Sequence, residues 1–269
     1  MDMMDMRHLA LAALVTALPS VALAQQAPAV SIEASSVLLH GAFAASGLGR
    51  SQGMRNIEYC GGVVVGREGS LLEIATARHC ATYDAQGLSM KAAGEQTDAK
   101  PDYVEFRDGD RGQVERVVID AEDDLALLFV RAAHDHQFAS LAPAPRLGEP
   151  LWVYGTPGRW RWILAGGIAA QASGDTVGSN VMKRSSGDNP STGTARDFAM
   201  DCPSCQPGYS GAAVWNADGR VVGILSGAMG GFSLVVPTHR LQALIAGEAK
   251  TEPVDNAVID NDAAGWVDP

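Results

Sequence analysis

Gly208-Tyr209-Ser210-Gly211 sets a serine between glycines, immediately ahead of the apolar stretch Ala212–Trp215. A serine in so tight a turn can present its Oγ outward while neighbouring backbone N–H groups point the same way. Glycines lack Cβ, so the chain there can take positive φ and let a substrate approach closely. The N–H groups of Gly208 and Ser210 could then converge on a developing oxyanion. A serine hydroxyl is a weak nucleophile until a base removes its proton, so this chemistry requires a histidine and a carboxylate from elsewhere in the chain. Taken alone, Gly-x-Ser-Gly is also an ordinary turn pattern.

The elements that could deliver those partners are strands. Gly62–Val65 and Leu71–Ala77 flank the turn Gly66-Arg67-Glu68-Gly69 and read as a hairpin of aliphatic residues. That hairpin empties into Thr76-Ala77-Arg78-His79-Cys80, so a histidine sits where a strand ends. Further on, Glu122-Asp123-Asp124 feeds the wholly apolar run Leu125–Val130. A buried strand with a carboxylate at its mouth can hold that carboxylate half desolvated. His40, His134, His136 and His239 have no motif around them and read as surface or core histidines. Trp160 and Trp162 read as strand-edge packing.

The chain has 269 residues, 46% hydrophobic and 19% charged, with 30 glycines and 13 prolines, which favours many short strands over long helices. Tyr103–Arg107 and Gln113–Asp120 alternate as an antiparallel pair around Asp108–Gly112, and Pro150–Tyr154 and Arg161–Gln171 continue the series. Arg196–Met200, Val214-Trp215, Val221–Leu225 and Phe232–Val236 follow, with Asn216-Ala217-Asp218-Gly219 as a hairpin turn. Ala132–Gly148 loses periodicity and carries Pro143 and Pro145, which marks a boundary between halves. Thr238 is expected to cap one helix, His239 to about Ala249. Ser173–Thr194 reads as a polar excursion and Thr251–Pro269 as an acidic tail.

At the N-terminus, Arg7-His8, the apolar Leu9–Leu18 and the small-x-small Ala22-Leu23-Ala24 read as a signal peptide over residues 1–24. The apolar run is too short to span a bilayer, so export without a membrane anchor is expected, to a periplasm or the cell exterior. The net charge of −11 argues against nucleic acid and anionic membrane surfaces as partners. In an oxidising compartment four cysteines read as disulfides, and spacing alone leaves all three pairings open. Cys202-Pro203-Ser204-Cys205 is also compatible with half a zinc site or a redox motif, but a second ligand pair and a βαβ context are missing. No cofactor or metal is expected.

The order His79, Asp124, Ser210, each at a strand-to-loop junction, resembles the chymotrypsin-like (trypsin-fold) serine peptidases. Thr76-Ala77-Arg78-His79-Cys80 is similar to that family's histidine motif, Asp124-Leu125-Ala126-Leu127-Leu128 to its aspartate motif, and Gly208–Gly211 to its serine motif. Cys60-Gly61-Gly62 matches its C-G-G strand start. The similarity spans roughly residues 55–250, and Gly148–Gly158 is closer to the bacterial HtrA-type branch. No PDZ-sized segment follows, so a regulated HtrA-type oligomer is not implied, and the oligomeric state is left open.

The resemblance implies two six-stranded antiparallel β-barrels with a C-terminal helix. The first barrel is then expected over 57–140 and the second barrel with the helix over 141–250, while the polar, weakly periodic residues 25–56 read as an extended N-terminal arm with one strand near Val37–Leu39 and 251–269 as the tail. The resemblance implies that Ser210 is the nucleophile, His79 the base and Asp124 its orienting carboxylate. Asp123 is the rival carboxylate, but motif and strand phase favour Asp124. Gly208 and Ser210 supply the oxyanion donors, and the implied disulfides are Cys60–Cys80 and Cys202–Cys205. A specificity pocket lined by Ser204, Ser226, Gly227 and Ala228, with Gly231 opposite, holds no carboxylate, which suits a medium or apolar residue before the scissile bond. The expected activity is hydrolysis of polypeptides through an acyl-enzyme.

The sequence departs from the family pattern in two places. Tyr209 stands where many activated zymogens carry an aspartate, and no Ile-Val-Gly-Gly start is present, so no activating cut beyond signal removal is expected. Ala212-Ala213 replaces the usual Gly-Pro. The alternative is a catalytically silent trypsin-fold binding module. An α/β-hydrolase esterase would need Gly-x-Ser-x-Gly and the order Ser, acid, His, which this chain lacks.

Overall fold

The computed structural model describes residues 29–47, 50–82, 96–157, 160–171, 197–229 and 231–252. The signal segment, 172–196 and 253–269 lie outside them, and with them the expected polar excursion and nearly all of the expected acidic tail.

Two closed antiparallel barrels of six strands each make up the molecule. The first comprises β1 (Ser36–Gly47), β2 (Arg50–Glu68), β3 (Leu71–Thr76), β4 (Gln96–Phe106), β5 (Arg111–Asp120) and β6 (Ala126–Ala132). Its order is β5-β4-β1-β2-β3-β6, closed by pairing of β6 with β5. The second runs β10-β11-β12-β9-β8-β7 and closes on itself. Its strands are β7 (Pro150–Gly155), β8 (Ile163–Gln171), β9 (Phe198–Asp201), β10 (Ala213–Trp215), β11 (Val221–Met229) and β12 (Phe232–Pro237). Helices α1 (Ala29–Ser35), α2 (Arg78–Thr82) and α3 (Thr238–Ile245) stand outside the barrels, and β13 (Thr251–Glu252) adds to the edge of β5.

The continuous apolar run at 125–130 follows from where β6 lies. Ala126, Leu128 and Val130 point into the first barrel. Leu125, Leu127 and Phe129 point the other way, into a core shared with Tyr154, Trp215 and Leu241 of the second half. A strand covered on both faces has no position for a polar side chain. The same logic splits β10, where Val214 faces the second barrel's interior and Ala213 and Trp215 face the shared core.

Three local expectations are corrected. The strand expected near Val37–Leu39 lies within the longer β1, and the described residues of the segment read as an arm through residue 56 form α1, β1 and the start of β2, so the strands of the first barrel begin at Ser36 and not at 57. The weak sequence pattern hid the strand's length because β1 pairs on both sides, with β2 and β4, and ladder hydrogen bonds do not depend on side-chain periodicity. Thr238 does not cap α3. Pro237 occupies the cap position with no side-chain bond, and the Thr238 hydroxyl donates to the Ala142 carbonyl of the linker. The helix is also shorter than expected, ending at Ile245, with Leu241 and Leu244 buried as its pattern required.

The linker is held to both barrels. Ala139 N–H donates to Val64 O, while Val221 N–H donates to Ser140 O and Ala142 N–H to Val221 O.

Candidate active site

His79 lies in α2, the single turn that follows β3. Its ring Nδ1 stands 2.8 Å from Asp124 Oδ2, and its backbone N–H donates to Asp124 Oδ1 at 3.0 Å. Ser226 Oγ donates to Asp124 Oδ2 at 2.6 Å. Asp124 is 2% exposed, so those three donors stand in for the water it has lost. An ionised carboxylate only accepts, so Nδ1 carries the imidazole proton and Nε2 keeps its lone pair. Burial pushes the His79 pKa down, but the charge of Asp124 and the hydrogen bond to it outweigh this and hold it above the usual 6.5.

Ser210 is tied through its backbone to the first barrel. Its carbonyl accepts the Gly61 N–H at 2.8 Å, and the Gly61 carbonyl accepts the Thr76 hydroxyl at 2.8 Å. Thr76 lies three residues before His79, and the Cys60–Cys80 disulfide ties Gly61's neighbour to His79's neighbour. Gly61 is glycine because Ala212 presses on it: a Cβ there would lie 2.8 Å from the Ala212 Cβ. Gly211 is tighter still. At φ +77°, its missing Cβ would sit 2.2 Å from Thr76 Oγ1 and 2.5 Å from the Gly61 carbonyl oxygen.

Gly211→Ala is therefore expected to destabilise the fold by about 2–5 kcal/mol, combining left-handed backbone strain with overpacking against a main-chain atom. Urea unfolding monitored by circular dichroism measures this. A loss under about 1 kcal/mol would show that the two loops are not clamped at this point.

The Gly208 and Ser210 amides are distinctive. Tyr209 N–H donates to Gln206 O and Gly211 N–H to Leu225 O, but among the described residues the Gly208 and Ser210 N–H groups donate to no carbonyl. Ser210 Oγ is half-buried and makes no hydrogen bond with a described group. Tyr209 is buried against Gly155, its hydroxyl 3.3 Å from the Ile163 carbonyl and its pKa pushed up to about 12 by burial. It is a packing residue beneath the serine loop.

Of the residues assigned to a specificity pocket, Ser204, Ala228 and Gly231 are exposed and Gly227 is half-buried with open space over its Cα. Ser226 is buried. It sits at a bulge in β11, where the register with β12 slips between Leu225 and Gly227, and this turns its side chain onto Asp124. Nothing local in the sequence signals that role. Thr76 belongs to the histidine motif, but its contact with Gly61 is visible only in the fold.

Asp123, the rival carboxylate, is engaged elsewhere, with Arg240 of α3. His134 and His136 both reach Asp110 Oδ2, at 3.2 and 3.1 Å, and His136 stacks on Phe106. His40 stacks on Tyr103. Trp162 packs against Tyr154, whereas Trp160 is 73% exposed, against its reading as a packing residue. The metal-ligating side chains gathered among the described residues are Cys60, His79 and Cys80, and both sulfurs are in the disulfide. The second disulfide is Cys202–Cys205.

Two closed antiparallel barrels, with the histidine loop of one clamped to the serine loop of the other, define the chymotrypsin-like serine peptidase fold. A family model described as Trypsin-like peptidase domain matches residues 60–224, more than half of the chain, and the chain belongs to that family. A comparison with curated proteins finds no match.

Proposed function

We propose that this chain is an exported serine endopeptidase that cuts polypeptides through an acyl-enzyme on Ser210. What supports the reading most is a pair of observations: a buried carboxylate orients the His79 ring, and Ser210, beside two amides that donate to no carbonyl among the described residues, is bonded to Gly61 of β2, which in turn accepts from Thr76 of the strand leading to that ring. Ser210 Oγ attacks the scissile carbonyl and gives its proton to His79 Nε2. The oxyanion accepts from the Gly208 and Ser210 N–H groups. His79 then protonates the amine as the C–N bond breaks, and a water, deprotonated by His79, releases the acyl group. A serine hydroxyl that bonds to no described group is compatible with this, because catalytic hydrogen bonds often tighten only with substrate bound.

The substrate residue before the scissile bond would enter beside Ser204, Gly227, Ala228 and Gly231, with Ser226 contributing only its backbone. The pocket offers no carboxylate, which favours medium or apolar side chains. Export is supported by the leader-like residues 1–24 and by two disulfides, which fit an oxidising compartment. Among the described residues no helix is long and apolar enough to cross a membrane.

The test is a peptide-library digest by the full chain beside Ser210→Ala. Shared cleavage preferences that vanish in the variant support the peptidase. A folded chain that cuts nothing supports the silent binding module.

The pH dependence follows from His79. Catalysis needs the neutral ring, so kcat/KM rises with pH through a midpoint above 6.5. The stability of the His79–Asp124 pair runs oppositely: it is fully present below the unfolded value and is lost as pH rises through the raised folded value. A kinetic midpoint below 6.5 would contradict the ion-paired ring.

A further inference from the structure

Asp124 stands in a crowded run of acids. Asp120, Glu122, Asp123 and Asp124 lie within five residues, and Asp120, Asp123 and Asp124 are buried. Asp120 Oδ1 accepts the N–H groups of Glu122 and Asp123 at 2.8 and 3.0 Å, which folds the loop tightly. The Asp123 side chain is fully buried, and the Arg240 Nε and Nη2 both reach its Oδ2. Glu122 lies 3.8 Å from the same guanidinium. Arg240 belongs to α3, beyond the last strand of the second barrel, yet its partner belongs to the first. The chain after α3 continues the attachment: Ala121 N–H donates to Lys250 O at 2.8 Å, and Thr251 of β13 pairs with Asp120. On the other side of the loop, Arg78 Nη1 donates to the Asp120 carbonyl at 2.9 Å, one residue before His79.

Resting on the peptidase reading above, we propose that Arg240 is a positioning residue for the reaction: by neutralising buried Asp123 and tying the 120–124 loop to α3, it sets Asp124 against His79. The physical reason lies in the asymmetry of the pair. Asp123 is enclosed while Arg240 is partly exposed, so removing the arginine takes the guanidinium away from a buried carboxylate beside Asp124, whereas removing the carboxylate leaves a cation that water and Glu122 can serve. Without that guanidinium, Asp123 draws the loop towards solvent or other donors. It must also add its negative potential to that of Asp124 at the His79 ring. Among the described residues, the charged groups on this loop and on the segments bonded to it are Asp120 and Glu122 within it, Arg240 from α3, Lys250 after α3, and Arg78 and His79 from α2.

The experiment measures the fluorophosphonate labelling rate of the full chain as a function of pH, for wild type, Arg240→Lys, Arg240→Gln, Asp123→Asn and the double Arg240→Gln/Asp123→Asn. Expected is a fall of about tenfold or more for Arg240→Gln, with its pH midpoint moved upward by about half a unit or more. Arg240→Lys and the double variant should return to within about threefold of wild type, with the midpoint restored. Circular dichroism establishes which variants are folded. If Arg240→Gln does not fold, a double variant that folds and labels at near the wild-type rate carries the same conclusion.

An Arg240→Gln protein that labels with the wild-type rate and midpoint overturns the proposal. So does a folded double variant that labels more than tenfold slower than wild type. Wild-type protein that takes up no probe would instead defeat the peptidase reading itself.

Discussion

Ser210→Ala is expected to lower kcat for peptide cleavage by about 10⁴–10⁶-fold while leaving the fold intact. The two halves of that expectation have separate causes. The hydroxyl makes no bond with a described group, so its removal orphans no buried partner, and stability should change by less than about 0.5 kcal/mol. The backbone of residue 210 carries the structural load, through its carbonyl and the Gly61 N–H, and alanine preserves it. Kinetics alongside urea unfolding separates the two. A variant that retains more than about a hundredth of the wild-type rate would place the nucleophile elsewhere.

Asp124→Asn should reduce kcat by about 10⁴-fold, and here structure and chemistry are both affected. The carboxylate accepts from the His79 ring, the His79 backbone and Ser226. An amide offers one oxygen for these donors and turns N–H groups on at least one of them. The imidazole then loses the bond that fixes its proton on Nδ1, so Nε2 is no longer reliably the base. Stability should also fall, by about 1.5–3 kcal/mol, the range for hydrogen bonds to a buried charge. Asp123→Asn is the matched control. That side chain faces Arg240, so its kinetic effect should be far smaller than that of Asp124→Asn, although the two residues adjoin. Equal losses at 123 and 124 would mean that the loop as a whole matters and that no one carboxylate orients the ring.

The parts of the fold that could be read from the sequence were those written in local chemistry. The hairpin at 62–77 was legible from aliphatic runs broken at Gly66 and Gly69. The turn at Asn216–Gly219 was legible from its Asp-Gly pair, and Gly219 indeed takes positive φ. The continuous apolar run at 125–130 signalled a strand buried on both faces, and the two barrel walls it serves became visible only with the fold. Contacts between residues distant in sequence were not legible. Ser226 lies 102 residues from Asp124, and only a bulge in β11 aims it there. Arg240 is 117 residues from Asp123, and only the packing of α3 sets it over the acidic loop. Thr238 had the right type and place for a cap, but the linker carbonyl of Ala142 competed for its hydroxyl. Of β1 only the part near Val37–Leu39 was legible, because the rest of its strand character comes from pairing on both sides and not from alternation.

The most direct test of the proposed site is mass-spectrometric mapping of the adduct formed when the full chain meets a fluorophosphonate. One adduct is expected, on the peptide that contains Ser210, and it should be absent when His79 is replaced by alanine. A folded chain that acquires no adduct, or one whose label sits on another residue, would contradict the assignment of Ser210 and His79 as nucleophile and base.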